Sequence, residues 1–190
     1  TGCQLTIKKG MINMKMINKR KYDKETVRML FELGEDILTS EGVMPLYEFL
    51  HHRNTTLFEH VAGVSYMSLR MAMRLEQWFG VEVDRRSLVR AAILHDYFLY
   101  DWHERRLHRL HGFSHALVAY HNARKLYHLN EIEADAILRH MFPLTVKPPR
   151  FIEGLIICIA DKVCATVENL RSYRYAMLTQ MLREYGALPA

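Results

Sequence analysis

The chain has 190 residues, a length that favours one domain with a sizeable hydrophobic core. Hydrophobic residues make up 49% and charged residues 25%, as in a soluble globular protein, and no apolar run is long enough for a transmembrane helix. The net charge of +5 is compatible with an anionic substrate, although an ordinary basic surface is the simpler interpretation.

The cysteines are few and form no pattern. Cys3, Cys158 and Cys164 show neither a disulfide framework nor a Cys-x-x-Cys pair. Cys158 and Cys164 lie in an apolar segment, which predicts buried thiols. This usage favours a reducing compartment, so we expect a cytoplasmic protein.

The first part of the chain differs from the rest. Residues 1–20 have no clear periodicity, and we interpret them as a disordered leader or one added in cloning. From residue 21 to 190 the pattern predicts a single helical domain. An amphipathic stretch predicts a helix over 23–40, and a short helix is expected over 45–50.

Start and stop signals then predict the remaining helices. Thr56-Leu-Phe-Glu59 has the pattern of a capping box, and Gly80 is a stop signal. Strand-like alternation is nearly absent, so the predicted fold class is all-α, a helical bundle. The predicted helices run over 57–79, from Asp84 or Ser87 to the His95-Asp96 pair, over 114–127, from Asn130 to His140, over 151–170 and over 172–185.

Potential metal ligands lie in several of these helices, mostly near the ends. His95 and Asp96 follow an apolar run, and they can chelate side by side only if the helix ends there. Asp161 is embedded in apolar sequence, where a carboxylate needs a partner, either a cation side chain or a metal. The other candidates are His60, His115 and His140.

This order of residues resembles the HD-domain superfamily of metal-dependent phosphohydrolases, which is named for the His-Asp pair. The resemblance covers about residues 54–168. It is carried by Glu59-His60 in an early helix, Leu94-His95-Asp96 after an apolar helix, and Ala160-Asp161-Lys162 late in the chain.

Two further histidines resemble a subgroup that holds two metals. His115 ends the stretch His111-Gly-Phe-Ser-His115, and His140 follows Arg139. The resemblance implies that Asp96 bridges to a second metal completed by His115 and His140. It implies that the first metal is bound by His60, His95, Asp96 and Asp161.

The implied reaction is hydrolysis of a phosphomonoester or phosphodiester of a small metabolite or nucleotide by a metal-activated water. Asp96 and Lys162 are the predicted catalytic residues, and His111, Lys147 and Lys162 the predicted substrate contacts. We expect no membrane or nucleic-acid partner, and the oligomeric state stays open. Histidine and carboxylate ligands suit iron, manganese, zinc, cobalt and nickel alike.

One departure from the family pattern leaves the substrate open. Many hydrolases of this superfamily have a glycine and then a lysine after His-Asp, whereas this chain has the aromatic segment Tyr97-Phe-Leu-Tyr-Asp101-Trp-His103. Asp101 or His103 could take the place of that lysine, although each is more simply a structural or surface group. The same ligand set resembles diiron oxygenases of the superfamily, and a non-catalytic metal- or nucleotide-binding domain is the third interpretation.

Overall fold

The computed structural model describes residues 22–52, 55–100, 111–171 and 175–189. The predicted leader, residues 1–20, lies outside these ranges. Within them the chain forms helices and one two-stranded hairpin, which confirms the all-α prediction. The elements are α1 Lys24–Leu38, α2 Pro45–Glu48, β1 Leu50–His52, β2 Thr55–Thr56, α3 Leu57–Phe79, α4 Arg85–Leu94, α5 His111–Leu126, α6 Glu131–Arg139, α7 Ile152–Arg171 and α8 Ala176–Glu184.

Local signals set the ends of α3. The Thr56 hydroxyl accepts from the backbone N–H of Glu59, and the Glu59 carboxylate accepts from the N–H of Thr56, so the predicted capping box is present. At the other end Gly80 adopts a left-handed conformation with φ of 64°, which a glycine reaches without a steric penalty. The predicted bounds of this helix, 57 and 79, are confirmed.

The next helices follow the same rules. Asp84 caps α4 by accepting from the N–H of Ser87, and Asn130 forms a second capping box with Glu133. The α4 helix ends at Leu94 with His95 as its C-cap, which confirms that the helix terminates at the His-Asp pair. His140 is the C-cap of α6, again as predicted.

Several predicted boundaries were wrong, including that of the first helix, which ends at Leu38 and not at residue 40. The α5 helix begins at His111 and not at Ser114, so His115 lies in its second turn. The last helix covers Ala176–Glu184, a shorter span than 172–185. The expected helix over 45–50 ends at Glu48, and Leu50 already belongs to a strand.

That strand is half of a short antiparallel hairpin that the sequence did not predict. Leu50 pairs with Thr56, and His52 pairs with Thr55. The N–H of Leu57 donates to the Phe49 carbonyl across 2.8 Å, which ties the hairpin to the first residue of α3. The hairpin therefore lies against the N-terminal end of α3.

The α3 helix is at the centre of the core, where it packs against α4 and α7, and α6 packs against both α4 and α7. Phe58, Leu69 and Leu88 are fully buried between these helices. The aromatic segment after His-Asp also contributes, since Tyr97 and Phe98 are buried and the Tyr97 hydroxyl donates to the Gly42 carbonyl. The first part of this segment, up to Phe98, is thus core.

A buried ion pair joins α4 to α6. The Arg90 guanidinium donates from Nε to Glu133 Oε1 across 2.5 Å and from Nη2 to the His128 carbonyl across 2.9 Å. A third contact, from Nη1, reaches Asp36 on α1. Arg90 and Glu133 are both buried, so this pair fixes how α4 lies against α6. None of the described helices is both long and apolar enough to cross a membrane.

Candidate metal centre

The helix arrangement brings the six predicted ligands to one place. Each comes from a different position in its element: the first turn of α3, the C-cap of α4 and the residue after it, the second turn of α5, the C-cap of α6 and the middle of α7. All six side chains are buried. They are His60, His95, Asp96, His115, His140 and Asp161.

Four of them form one group around the carboxylates of Asp96 and Asp161. His60 Nε2 lies 3.3 Å from Asp161 Oδ1 and 3.6 Å from Asp96 Oδ2. His95 Nε2 lies 3.8 Å and 3.5 Å from the same two oxygens. One ligand atom from each residue falls within 4.8 Å of all the others, so the four could hold a metal ion.

A second group meets at the other oxygen of Asp96. His115 Nε2 lies 3.3 Å and His140 Nε2 3.5 Å from Asp96 Oδ1, and the two ring nitrogens are 2.9 Å apart. These three residues could also hold a metal ion. Asp96 is the member common to both groups, with one carboxylate oxygen facing each.

Hydrogen bonds at Nδ1 determine which nitrogen faces the centre. His95 Nδ1 lies 2.8 Å from the Ala92 carbonyl, and His140 Nδ1 lies 2.8 Å from the Ile137 carbonyl. A carbonyl only accepts, so Nδ1 carries the hydrogen in both rings and Nε2 of the neutral ring keeps its lone pair. Both histidines are C-caps, where carbonyls of the last turn lack helical partners and are free to accept.

Burial and the nearby histidines shift the pKa values of the two carboxyl groups in opposite directions. Burial alone raises the pKa of Asp96, but the nearby His95, with His115, His140 and His51, outweighs it and holds the pKa well below the ordinary value. The pKa of Asp161 is likewise well below its ordinary value, because His60 and His95 outweigh the effect of burial. Both side chains are therefore carboxylates near neutral pH, the form that binds metals.

The pKa values of His60 and His140 shift in opposite directions. Burial lowers the pKa of His60, but the carboxylates of Glu168 and Asp161 outweigh burial and raise that pKa to about 10. The pKa of His140 is lowered, chiefly by burial. His140 is thus neutral near pH 7 without help, whereas His60 must release a proton before its Nε2 can bind a metal.

The residues fit divalent metal ions. Among the described residues His95 Nε2 has no hydrogen-bond partner, although it is fully buried and faces two carboxylates. His115 Nε2 and His140 Nε2 lie 2.9 Å apart, so that either a hydrogen bond between the rings or a cation bound by both nitrogens would satisfy them. Imidazole nitrogens with carboxylate oxygens form the donor set of first-row divalent metals.

Two residues at the centre were missed by the sequence analysis. His51 on β1 places Nε2 3.0 Å from Asp96 Oδ2, and its ring stacks on that of His60 with centroids 3.8 Å apart. Glu168 on α7 contacts His60 Nδ1 through both carboxylate oxygens. Glu168 could have been found, because it lies seven residues after Asp161 and so on the same face of α7. No comparable signal pointed to His51.

The predicted substrate contacts lie in different surroundings. Lys162 Nζ donates to the His140 carbonyl across 3.0 Å and to the Cys158 carbonyl across 3.3 Å, so it holds the end of α6 against α7. Lys147 is exposed in the segment between these helices. His111 is the first residue of α5, and its side chain lies outside the described part of the chain, as do Asp101 and His103. Contact of these residues with substrate stays a prediction.

Comparison with known proteins gives one finding. No curated protein and no solved structure matches the chain. The sequence profile of the HD domain matches residues 57–166, which is more than half of the chain and includes all six predicted ligands. With that match and the His-Asp pair at the centre of the buried cluster, the chain belongs to the HD domain family.

Proposed function

We propose that this protein is a metal-dependent phosphohydrolase that hydrolyses a phosphomonoester or phosphodiester of a small metabolite or nucleotide. The observation that carries the proposal is the position of Asp96, whose two carboxylate oxygens face two separate ligand groups. That is the arrangement expected of a carboxylate that bridges two ions. His60, His95, Asp96 and Asp161 would hold the first ion, and Asp96, His115 and His140 the second.

The chemistry follows from this pair of sites. Two bound divalent ions would polarise phosphoryl oxygens and lower the pKa of a water molecule between them. In the reaction the water releases one proton as its oxygen forms a bond to phosphorus, the bond from phosphorus to the leaving oxygen breaks, and the leaving oxygen takes up one proton. Asp96 holds the two groups together, and it is the residue we propose as closest to the attacking water.

The surroundings of the centre suit this chemistry. The side chains of His60 and His95 have no exposed surface, and that of Asp161 is the most exposed of the six, at 12%. A largely dehydrated centre strengthens the attraction between charges and limits the access of bulk water. The Asp161 side of the centre is therefore where we propose that a phosphate group approaches.

The test combines metal analysis with a substrate screen. Protein prepared anaerobically is analysed for bound metals and incubated with nucleotides and phosphomonoesters, and phosphate release is measured. We expect two ions per chain and metal-dependent phosphate release. Asp96→Ala should abolish metal binding, because Asp96 belongs to both groups, whereas Asp161→Ala and His115→Ala should each remove one ion of the two. His121→Ala, an exposed histidine on the same helix as His115, is the matched control and should keep both ions.

The outcomes separate the alternatives. Two irons with a mixed-valent magnetic signal and no phosphate release would replace the hydrolase by a diiron oxygenase, which the same donors suit. Absence of metal, with melting that still responds to nucleotides, would favour a binding domain. A His115→Ala variant that still holds two ions would contradict the two-site arrangement.

A further inference from the structure

The position of His60 in the first turn of α3 differs from the positions of His95 and His140. His95 and His140 stand at the ends of helices, and each contacts a carbonyl three residues earlier through Nδ1. In the first turn of a helix the carbonyls already accept from N–H groups four residues later. For the His60 ring, an acceptor comes from another element.

Glu168 on α7 supplies that acceptor. Its Oε1 and Oε2 lie 3.0 Å and 3.1 Å from His60 Nδ1, and neither side chain has any exposed surface. A carboxylate accepts, so the Nδ1 hydrogen of the neutral ring points to Glu168. The ring then presents Nε2 to Asp161 Oδ1 at 3.3 Å and Asp96 Oδ2 at 3.6 Å.

The same carboxylate also approaches a second ring. His51 Nδ1 lies 3.7 Å from Glu168 Oε2, and the rings of His51 and His60 are stacked with an angle of 21° between their planes. Both rings thus place Nδ1 toward Glu168 and Nε2 toward Asp96. Stacking from one side and the carboxylate at the edge leave the His60 ring little freedom to rotate.

We propose that Glu168 is a positioning residue of this centre, which fixes His60 in the tautomer and orientation that direct Nε2 to the first ion. The inference rests on the proposed metal site, and it adds a residue that the six-ligand set does not contain. Hydrogen-bonded carboxylates behind histidine ligands raise the basicity of the ligand, and their loss commonly weakens metal affinity by about 10- to 100-fold.

The test uses Co²⁺ as the probe on full-length protein stripped of metal. Titration followed by visible absorbance and by competition with a chromophoric chelator resolves the binding steps, and His60→Ala and His115→Ala identify which step belongs to which group. Glu168→Gln keeps the size of the side chain and removes its charge. We expect the step that is lost in His60→Ala to weaken by about 10- to 100-fold, with an altered cobalt absorbance, and the other step to change less than about threefold.

Glu153→Gln is the matched control. Glu153 is a second buried glutamate on α7, but its Oε1 accepts from the N–H of Asp84, away from the centre. This variant should bind Co²⁺ as the wild type does. If Glu153→Gln weakens binding as much as Glu168→Gln, the effect is general destabilisation and the inference is wrong.

Other outcomes distinguish failure of the positioning role from failure of the proposed function. Unchanged affinity in Glu168→Gln overturns the positioning role while the proposed function stands. His51, His60 and Glu168 could themselves hold an ion, and loss of a third ion per chain in Glu168→Gln would make Glu168 a ligand instead. Wild-type protein that binds no Co²⁺ overturns the proposed function instead. Should Glu168→Gln fail to fold, Glu168→Asp keeps the charge on a shorter side chain and is expected to weaken the same step.

Discussion

Replacement of Arg90 by methionine tests whether the α4–α6 ion pair holds the two halves of the centre together. The α4 helix carries His95 and Asp96 at its end, and α6 carries His140. Methionine fills much of the volume of arginine but leaves the Glu133 carboxylate, whose side chain is 3% exposed, without its cationic partner. Loss of one member of a buried pair costs about 3–5 kcal/mol of unfolding free energy.

Arg86 offers a matched control. It lies on the same helix and contacts Asp36, which Arg90 also contacts, but the Arg86–Asp36 pair is exposed, with 57% and 42% of the two side chains accessible. Exposed pairs contribute about 0–1 kcal/mol, so Arg86→Met should change the unfolding free energy by less than about 1 kcal/mol. A second Glu133→Gln change in the Arg90→Met background removes the buried charge and should recover part of the loss.

The assay is urea denaturation at pH 7 with a chelator present, so that metal binding does not contribute. Thermal melting under the same conditions should show a melting temperature lower by roughly 6–20 °C for Arg90→Met in a chain of this length. The metal content of protein purified without chelator should fall as well, because α4 and α6 hold ligands of both groups. A loss below about 1 kcal/mol, or a double variant no more stable than Arg90→Met, would show that the pair does not stabilise this packing.

Three further predictions concern the centre itself. Removal of metal by a chelator should lower the melting temperature in differential scanning calorimetry. The expected decrease is roughly 5–10 °C relative to protein with metal at 100 times the dissociation constant. Equal melting temperatures would mean that metal does not bind the folded state. The pKa of His60 is raised to about 10, so its stabilisation of the metal-free protein is complete below pH 6.5 and is lost as the pH rises toward 10. The pKa of Glu168 is lowered to about 2, so its stabilisation is complete above pH 4.5 and is lost as the pH falls. Thermal melts of wild type and His60→Gln should converge at high pH, and a difference independent of pH would refute this. His51→Gln should keep the wild-type number of ions by elemental analysis but lower turnover, since His51 contacts Asp96 without belonging to either ligand group around it; loss of an ion would make His51 a ligand.

The parts of the fold that local chemistry decides could be predicted from the sequence. The capping box at Thr56, the left-handed Gly80 and the caps at Asp84 and Asn130 each depend on residues close together in the chain. The start of α5 could not be placed in this way. Ser114 has the residue type of an N-cap, but a glycine and a serine in a first turn cost little, and the helix begins one turn earlier.

The site shows the same division. The sequence indicated that the six ligands converge, because most of them lie near predicted helix ends and Asp161 lies in an apolar segment. His51 depends instead on a hairpin of two short strands that forms against α3, which no local pattern encodes. The contact of the Lys162 ammonium group with the end of α6 could not be predicted either, because it depends on how α6 packs against α7. Contact of Lys162 with substrate stays a prediction.

For the proposed phosphohydrolase, the helix ends at His95 and His140 would also determine the order in which the centre is filled. The C-terminus of a helix has a partial negative charge of about half a unit, and α4 and α6 both end here beside the carboxylates of Asp96 and Asp161. The described Lys162 ammonium, the nearest cation in sequence to Asp161, is engaged with backbone carbonyls. An anionic substrate would be repelled from such a centre until divalent ions had reversed its charge, so metal should bind first and phosphate second.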